Sequence, residues 1–155
     1  MTEQFDPTYG VAEELGPGLR RIVAPNPSPM TFKGTNTYLL GTRDLAVIDP
    51  GPERAAHLQA ILDAVGQDQR ITHIFVTHSH VDHSPLARPL SAATGAPVLA
   101  FGPSGAGRSE IMTKLAATGL SDAGEGIDTA FSPDLTLDDG AVTTGPDWSL
   151  TALWT

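Results

Sequence analysis

The chain contains no cysteine. That excludes a disulfide scaffold, a thiolate metal site and a cysteine nucleophile. Basic residues are scarce: 9 Lys plus Arg stand against 18 Asp plus Glu, for a formal charge of −9. Non-specific nucleic-acid binding uses Lys and Arg to displace phosphate counterions, so this balance disfavours it. Long apolar runs are missing too; none approaches the roughly 18 residues a membrane helix needs. The first ten residues have neither a basic flank nor an apolar stretch, unlike a secretory leader. The expectation is a cytoplasmic protein with no membrane partner. What remains is 155 residues, 40% of them hydrophobic, enough for one packed domain and too apolar for general disorder.

Glycine (16) and proline (13) are plentiful and spread along the chain, where they punctuate short elements. Residues 1–18 read as an irregular N-terminal arm ending in Gly16-Pro17-Gly18, and residues 19–155 as the domain. Leu19–Ala24, Asn36–Gly41 and Leu45–Ile48 have strand character, with a proline-rich loop at 25–29. Leu58, Ile61, Leu62 and Val65 recur at i, i+3, i+4 and i+7, which predicts a helix over about 53–65 with Gly66 as its cap. Ile71–Thr77 is apolar and β-branched, as a buried strand is. A helix over 86–94 stopped by Gly95 and a strand over 97–101 complete a β-β-α-β-α-β order, which argues for an α/β layered fold. Further on, a helix over 109–117 capped by Ser109 is expected, then strands at 135–137, 141–144 and 149–154 as a meander.

The chemistry concentrates in Thr77-His78-Ser79-His80-Val81-Asp82-His83, directly after the buried strand. Three of the five histidines of the chain stand here beside a carboxylate. Imidazole and carboxylate suit zinc, and also iron or manganese. The spacing lets His78 and His80 aim at one ion while Asp82 and His83 face a neighbouring position, and two metals can share and acidify one water. The alternative is a solvated loop, but placement at the C-terminal end of a strand in an α/β layer favours a site.

The segment His78-x-His80-x-Asp82-His83 resembles the signature of the metallo-β-lactamase fold superfamily. Asn26-Pro27-Ser28-Pro29-Met30, Gly34-Thr35-Asn36-Thr37-Tyr38-Leu39-Leu40 and Val47-Ile48-Asp49-Pro50-Gly51 look like its beta-lactamase-like protein 2 branch, with glyoxalase-II-like hydrolases as neighbours. The resemblance runs from about Leu19 to Thr155. It implies an αββα sandwich of two similar halves with metals at a sheet edge. It implies that His78 and His80 bind one zinc, Asp82 and His83 the other. Asp82 would also orient a bridging hydroxide, the nucleophile, and Asp49 would buttress the motif loop. The implied activity is hydrolysis of a small-molecule ester or thioester, or of an RNA phosphodiester as in the beta-lactamase-like protein 2 branch.

The resemblance also implies three further ligands, one in a Pro-Gly-His segment expected just after Thr155, and the chain holds none of them. His73 lies five residues before His78 on one strand, roughly 16 Å away if extended, and His57 sits on the preceding helix. The expectation is therefore the first half of the sandwich with a truncated second half. Two protein ligands per metal predict weak binding by these 155 residues alone, where catalytic zinc usually has three. One uncovered sheet face and edge would invite a second copy of the chain or the missing C-terminal half. A non-catalytic remnant or interaction module is the alternative from a different class. Gly102-Pro103-Ser104-Gly105-Ala106-Gly107-Arg108-Ser109 nearly matches a phosphate loop and defines a third reading, a nucleotide-binding module, but Arg108 replaces its lysine and Pro103 removes a cradling N–H. The loop Thr31–Thr37, with Thr35 and Asn36, is a candidate substrate contact. Asp134, Asp138 and Asp139 beside Gly140 lack a calcium-loop order and read as a solvated turn.

Overall fold

Alternation along the central strands sends successive side chains to opposite faces of one sheet, and each face has its own cover. The computed structural model describes residues 5–118 and 126–155. Strands β1 (Glu13–Gly16), β2 (Leu19–Val23), β3 (Asn36–Leu40) and β4 (Asp44–Ile48) form an antiparallel meander. Strands β5 (Arg70–Phe75), β6 (Val98–Ala100) and β7 (Leu135–Thr136) extend it in parallel, giving the order β1-β2-β3-β4-β5-β6-β7. Helices α1 (Ala55–Asp63) and α2 (Ala87–Thr94) make the crossovers between β4, β5 and β6. Helix α3 (Glu110–Ala117) follows β6. Strands β8 (Val142–Thr144) and β9 (Ser149–Thr151) form a separate antiparallel hairpin.

One core gathers Ile22, Leu39, Leu45, Val47, Ile74 and Val98 under Ile61 of α1 and Leu90 of α2. The other gathers Ala46, Phe75 and Leu99 under Trp148 of the hairpin, with Leu150 at its margin. A register shift in the β4–β5 pairing, where Leu45 faces Ile71 and Ala46 faces His73, leaves Thr72 as an extra residue. The shift lets Ile71 and Ile74 both join the helix-side core despite their odd spacing.

Trp148 anchors the hairpin. Its indole Nε1–H donates to the Asp44 carbonyl at 2.7 Å, and its ring lies edge-on to Phe75 and His73. A Cβ at Gly145 would stand 2.2 Å from the indole and one at Gly41 2.8 Å from it, so two glycines make room for this side chain. The Thr42 amide donates to Asp147 at 2.8 Å and ties the same corner. Trp148→Phe keeps the aromatic filling but leaves the Asp44 carbonyl without its donor. We expect a loss of about 1–2 kcal/mol in urea unfolding; an unchanged midpoint would contradict this anchoring.

Several expectations change. Part of the segment read as an irregular arm is β1, paired with β2 and tied by Arg21 to Glu13 at 2.6 Å; its alternation is too short to show in sequence. Residues 1–4 of that arm lie outside the described residues. Gly66 is not the cap of α1, which ends at Ala64 in right-handed geometry, whereas Gly95 ends α2 in the left-handed one. The three late strands are not one meander, because β7 pairs with β6 in the main sheet. The second sheet face is not bare: the hairpin covers part of it and leaves a cavity of ≈ 620 Å³ lined mainly by apolar side chains such as Phe75, Leu99, Leu137 and Leu150. Among the described residues no helix is long and apolar enough to cross a membrane.

Candidate metal centre

Strand β5 ends at Phe75, and the motif loop emerges where parallel strands β4 and β5 finish side by side. Asp49, the residue after β4, caps this junction. It is 7% exposed and adopts φ 51, which turns its carboxylate towards the motif. Asp49 Oδ1 accepts the Thr77 amide at 2.8 Å, and Oδ2 accepts the Thr77 hydroxyl at 2.8 Å. The same Oδ2 lies 2.9 Å from His83 Nδ1.

These bonds fix two imidazole tautomers. Next to a carboxylate oxygen, His83 Nδ1 carries the proton, which leaves Nε2 outward. Thr77 has one hydroxyl proton and gives it to Asp49. Its oxygen, 2.9 Å from His78 Nδ1, therefore accepts from that nitrogen, and the His78 Nε2 lone pair is free. One carboxylate thus presents two Nε2 atoms, directly for His83 and through Thr77 for His78.

The rings cluster. His78 and His80 have centroids 4.6 Å apart, and His78 and His83 4.2 Å apart. Asp82 Oδ2 lies 3.2 Å from His83 Nε2. A carboxylate oxygen and an imidazole lone pair at that separation repel unless positive charge joins them. Donors about 2.0–2.2 Å from a tetrahedral zinc stand about 3.3–3.6 Å apart, so this edge is close to the size an ion requires. Burial pulls the His83 imidazole down, but the Asp49 hydrogen bond and the charges of Asp49 and Asp82 outweigh it and raise its pKa. Burial, with the neighbouring His83 and His80, lowers that of His78. The donor chemistry fits a zinc-type cation. The enclosure is partial: among the described residues no group of three or more His, Asp or Glu side chains is arranged to hold an ion by itself.

The loop is strapped from several sides. Gly51 N–H donates to the His83 carbonyl at 2.9 Å. Val81 and Asp128 amides bond to Gly126 and Ser79 carbonyls at 2.7 and 2.8 Å. Ser84 Oγ donates to Asp128 Oδ2 at 2.9 Å. Asp128 and Ser84 carried no signal in the sequence, since neither belongs to the histidine cluster.

Thr35, one of the two candidate substrate contacts, lies inside the loop. It is 4% exposed, and its hydroxyl lies 3.2 Å from Asp82 Oδ2. Pairing of β2 with β3 draws its backbone inward, leaving Phe32 as the exposed part of that loop. Asn36 lies in β3 opposite Val23, with a buried amide oxygen that has no hydrogen-bond partner. His73 is packed between Phe75 and Trp148, on the hairpin side of the sheet and away from the motif rings. Asp134 lies in an exposed bend, where it pairs with Arg88 at 2.7 Å and accepts the Val98 amide at 2.8 Å. Asp139 accepts the Trp154 amide at 3.0 Å.

His57 is 1% exposed and was expected only to lie away from the cluster. Its Nε2 meets Thr37 Oγ1 at 2.8 Å, and that hydroxyl donates to the Asp49 carbonyl at 2.7 Å. Thr37 therefore accepts from Nε2–H, and the buried Nδ1 has no partner. Burial pushes the His57 pKa from 6.5 down to about 4. Between those values the unfolded chain binds the proton and the folded one does not, so acidification from pH 6.5 to 4 destabilises. The full effect is about 3 kcal/mol. Urea unfolding of wild type and His57→Gln at several pH values checks it: the difference between them should shrink as pH falls, and a constant difference would refute the assignment.

A seven-stranded sheet with helices on one face, a hairpin on the other and a His/Asp loop at the strand ends defines an α/β layered fold. Residues 30–155 match the family described as the Metallo-beta-lactamase superfamily, and the chain belongs to that superfamily. It is 39% identical over 74 residues to an atrochrysone carboxyl ACP thioesterase of Passalora fulva, covering 46% of this chain and 22% of that protein. A beta-lactamase-like protein 2 homolog of Caenorhabditis elegans is 38% identical over 74 residues, covering 46% and 25%. Among solved structures, a beta-lactamase domain protein from Burkholderia ambifaria aligns with TM-score 0.68 at 20% identity, over 97% of this chain and 49% of that one. A subclass B3 metallo-beta-lactamase of Bradyrhizobium japonicum gives TM-score 0.61 at 20% identity, over 92% and 50%. The chain thus spans about half the length of the structures that share its fold, and its matches cover about a quarter of these two curated relatives.

Proposed function

We propose that this chain carries the metal-binding half of a hydrolase centre acting on a carboxylic thioester or ester. The observation that supports it most is the Asp49 carboxylate, which turns the Nε2 atoms of His78 and His83 outward beside His80 and Asp82. His78 and His80 would hold one cation, Asp82 and His83 a second, with zinc the first choice and iron or manganese alternatives. A cation held there would supply Lewis acidity, polarising a carbonyl and acidifying water. Asp82 would orient that water and take its proton at Oδ1, which accepts no hydrogen bond among the described residues. Addition to the carbonyl carbon would be followed by cleavage of the bond to sulfur or oxygen; the leaving thiolate or alkoxide would take the proton held by Asp82, and the acid would leave with the thiol or alcohol. Thioesters come first because the relatives named above include a thioesterase. An RNA phosphodiester is less suited to a chain with a net charge of −9. The cavity beside the hairpin has the composition of an interior between two layers, and we assign it no substrate.

The test uses the purified chain, stripped and reloaded with zinc, on acyl-thioester, aryl-ester and bis-aryl-phosphate substrates. Zinc-dependent thioester cleavage that His78→Ala abolishes supports the reading. Turnover indifferent to both chelator and His78→Ala would overturn it. A chain that binds zinc at these residues yet cleaves none of the substrates would favour the non-catalytic remnant or interaction module.

A further inference from the structure

We propose that Asn26 and Thr35 form a positioning relay that aims the Asp82 carboxylate. The inference rests on the reading that Asp82 belongs to the metal centre. Thr35 N–H donates to Asn26 Oδ1 at 2.9 Å, and Asn26 Nδ2 lies 3.0 Å from Thr35 Oγ1. A backbone N–H can only donate, so Oδ1 must face it, and the amide N–H must then face the hydroxyl. Thr35 Oγ1 accepts from Asn26 and has a single proton left, directed at Asp82 Oδ2 at 3.2 Å. Oδ2 keeps its other lone pair beside His83 Nε2, and Oδ1 of Asp82 is left for a proton.

The rest of the loop holds Asn26 in place. Its N–H donates to the Ala24 carbonyl at 2.9 Å, and its carbonyl accepts the Thr31 hydroxyl at 2.6 Å. Proline on either side restricts its backbone. The Ala24 amide donates to the Thr35 carbonyl at 2.9 Å and closes the clamp. Every polar group of Asn26 is thus engaged, and among the described residues its side-chain amide serves Thr35 alone. A connector would need none of this polarity. A relay needs a donor to the hydroxyl and a hydroxyl to the carboxylate, both in fixed direction.

Three substitutions separate direction from packing. Thr35→Val keeps the branch and removes the hydroxyl. Thr35→Ser keeps the hydroxyl. Asn26→Asp keeps the acceptor for Thr35 N–H but offers a second acceptor to the hydroxyl, drawing its proton away from Asp82. Cobalt(II) affinity would be measured by visible absorption on the metal-stripped chain, with thermal melting in parallel. Thr35→Val and Asn26→Asp are expected to weaken cobalt binding about 10- to 100-fold, and Thr35→Ser to stay within about threefold. Thr35→Val binding as wild type does, or Thr35→Ser failing as Thr35→Val does with unchanged melting, overturns the relay. Wild type that binds no cobalt overturns the metal centre instead. The relay is then read in the metal-free chain from the His83 imidazole ¹⁵N resonances at fixed pH. Thr35→Val and Asn26→Asp should shift the Nε2 resonance and Thr35→Ser should not; no shift in the first two overturns it.

Discussion

Alanine at position 49 is expected to cost about 3–5 kcal/mol and to disorganise the motif loop. The Asp49 carboxylate accepts the Thr77 amide, the Thr77 hydroxyl and His83 Nδ1. Removing it takes the charged acceptor away from three donors at the edge of the loop and releases both imidazole tautomers. Alanine must also hold φ 51, a left-handed conformation that costs it about 1–2 kcal/mol. Asp49→Gly relieves the backbone and not the hydrogen bonds. It should recover about 1 kcal/mol relative to Asp49→Ala while the imidazole ¹⁵N spectra of His78 and His83 stay as perturbed. Urea unfolding and those spectra together check this. Alanine tolerated within 1 kcal/mol would mean that Asp49 is not the buttress described.

Gly34→Ala is expected to be still more damaging. Gly34 has φ +128, and an added Cβ would stand 2.1 Å from the Ala24 carbonyl oxygen and 3.2 Å from Asn26 Oδ1. Backbone cannot yield by that distance without parting the start of β3 from the residues that follow β2. The expected loss exceeds about 4 kcal/mol, with little folded protein recovered at 37 °C. In any folded fraction Thr35 would be displaced from Asp82. A folded Gly34→Ala chain with wild-type melting would show that the Asn26 clamp is looser than drawn.

The histidine cluster was legible because its density and its place after an apolar β-branched strand are local facts. So were α1, whose apolar spacing fits one helical face, and the end of α2 at Gly95. The partners of the cluster were less legible, because they come from remote segments. Nothing in Asn26 or Asp128 announces that folding brings them to residues 35 and 84. Thr35 read only as a member of a polar loop near the metals, since burial of its hydroxyl becomes visible only once β2 and β3 pair around it. His57 looked like one more helical polar residue; its burial follows from the sheet packing on that face of α1. Strand β7 was assigned to the wrong neighbours because two-residue pairing carries no periodicity. The resemblance supplied the sandwich and the pairing of ligands, and the bonds of Asp49 supply the reason the imidazoles face outward.

The central claim is that the side chains at 78, 80, 82 and 83 receive a divalent cation through nitrogen and oxygen atoms set by Asp49. Zinc titration of the metal-stripped chain by calorimetry at pH 7.5, for wild type, His78→Ala and His83→Ala, tests it most directly. The account predicts measurable binding by wild type and at least about a tenfold loss in each variant. Equal zinc affinity in all three proteins, or none in wild type, would contradict it.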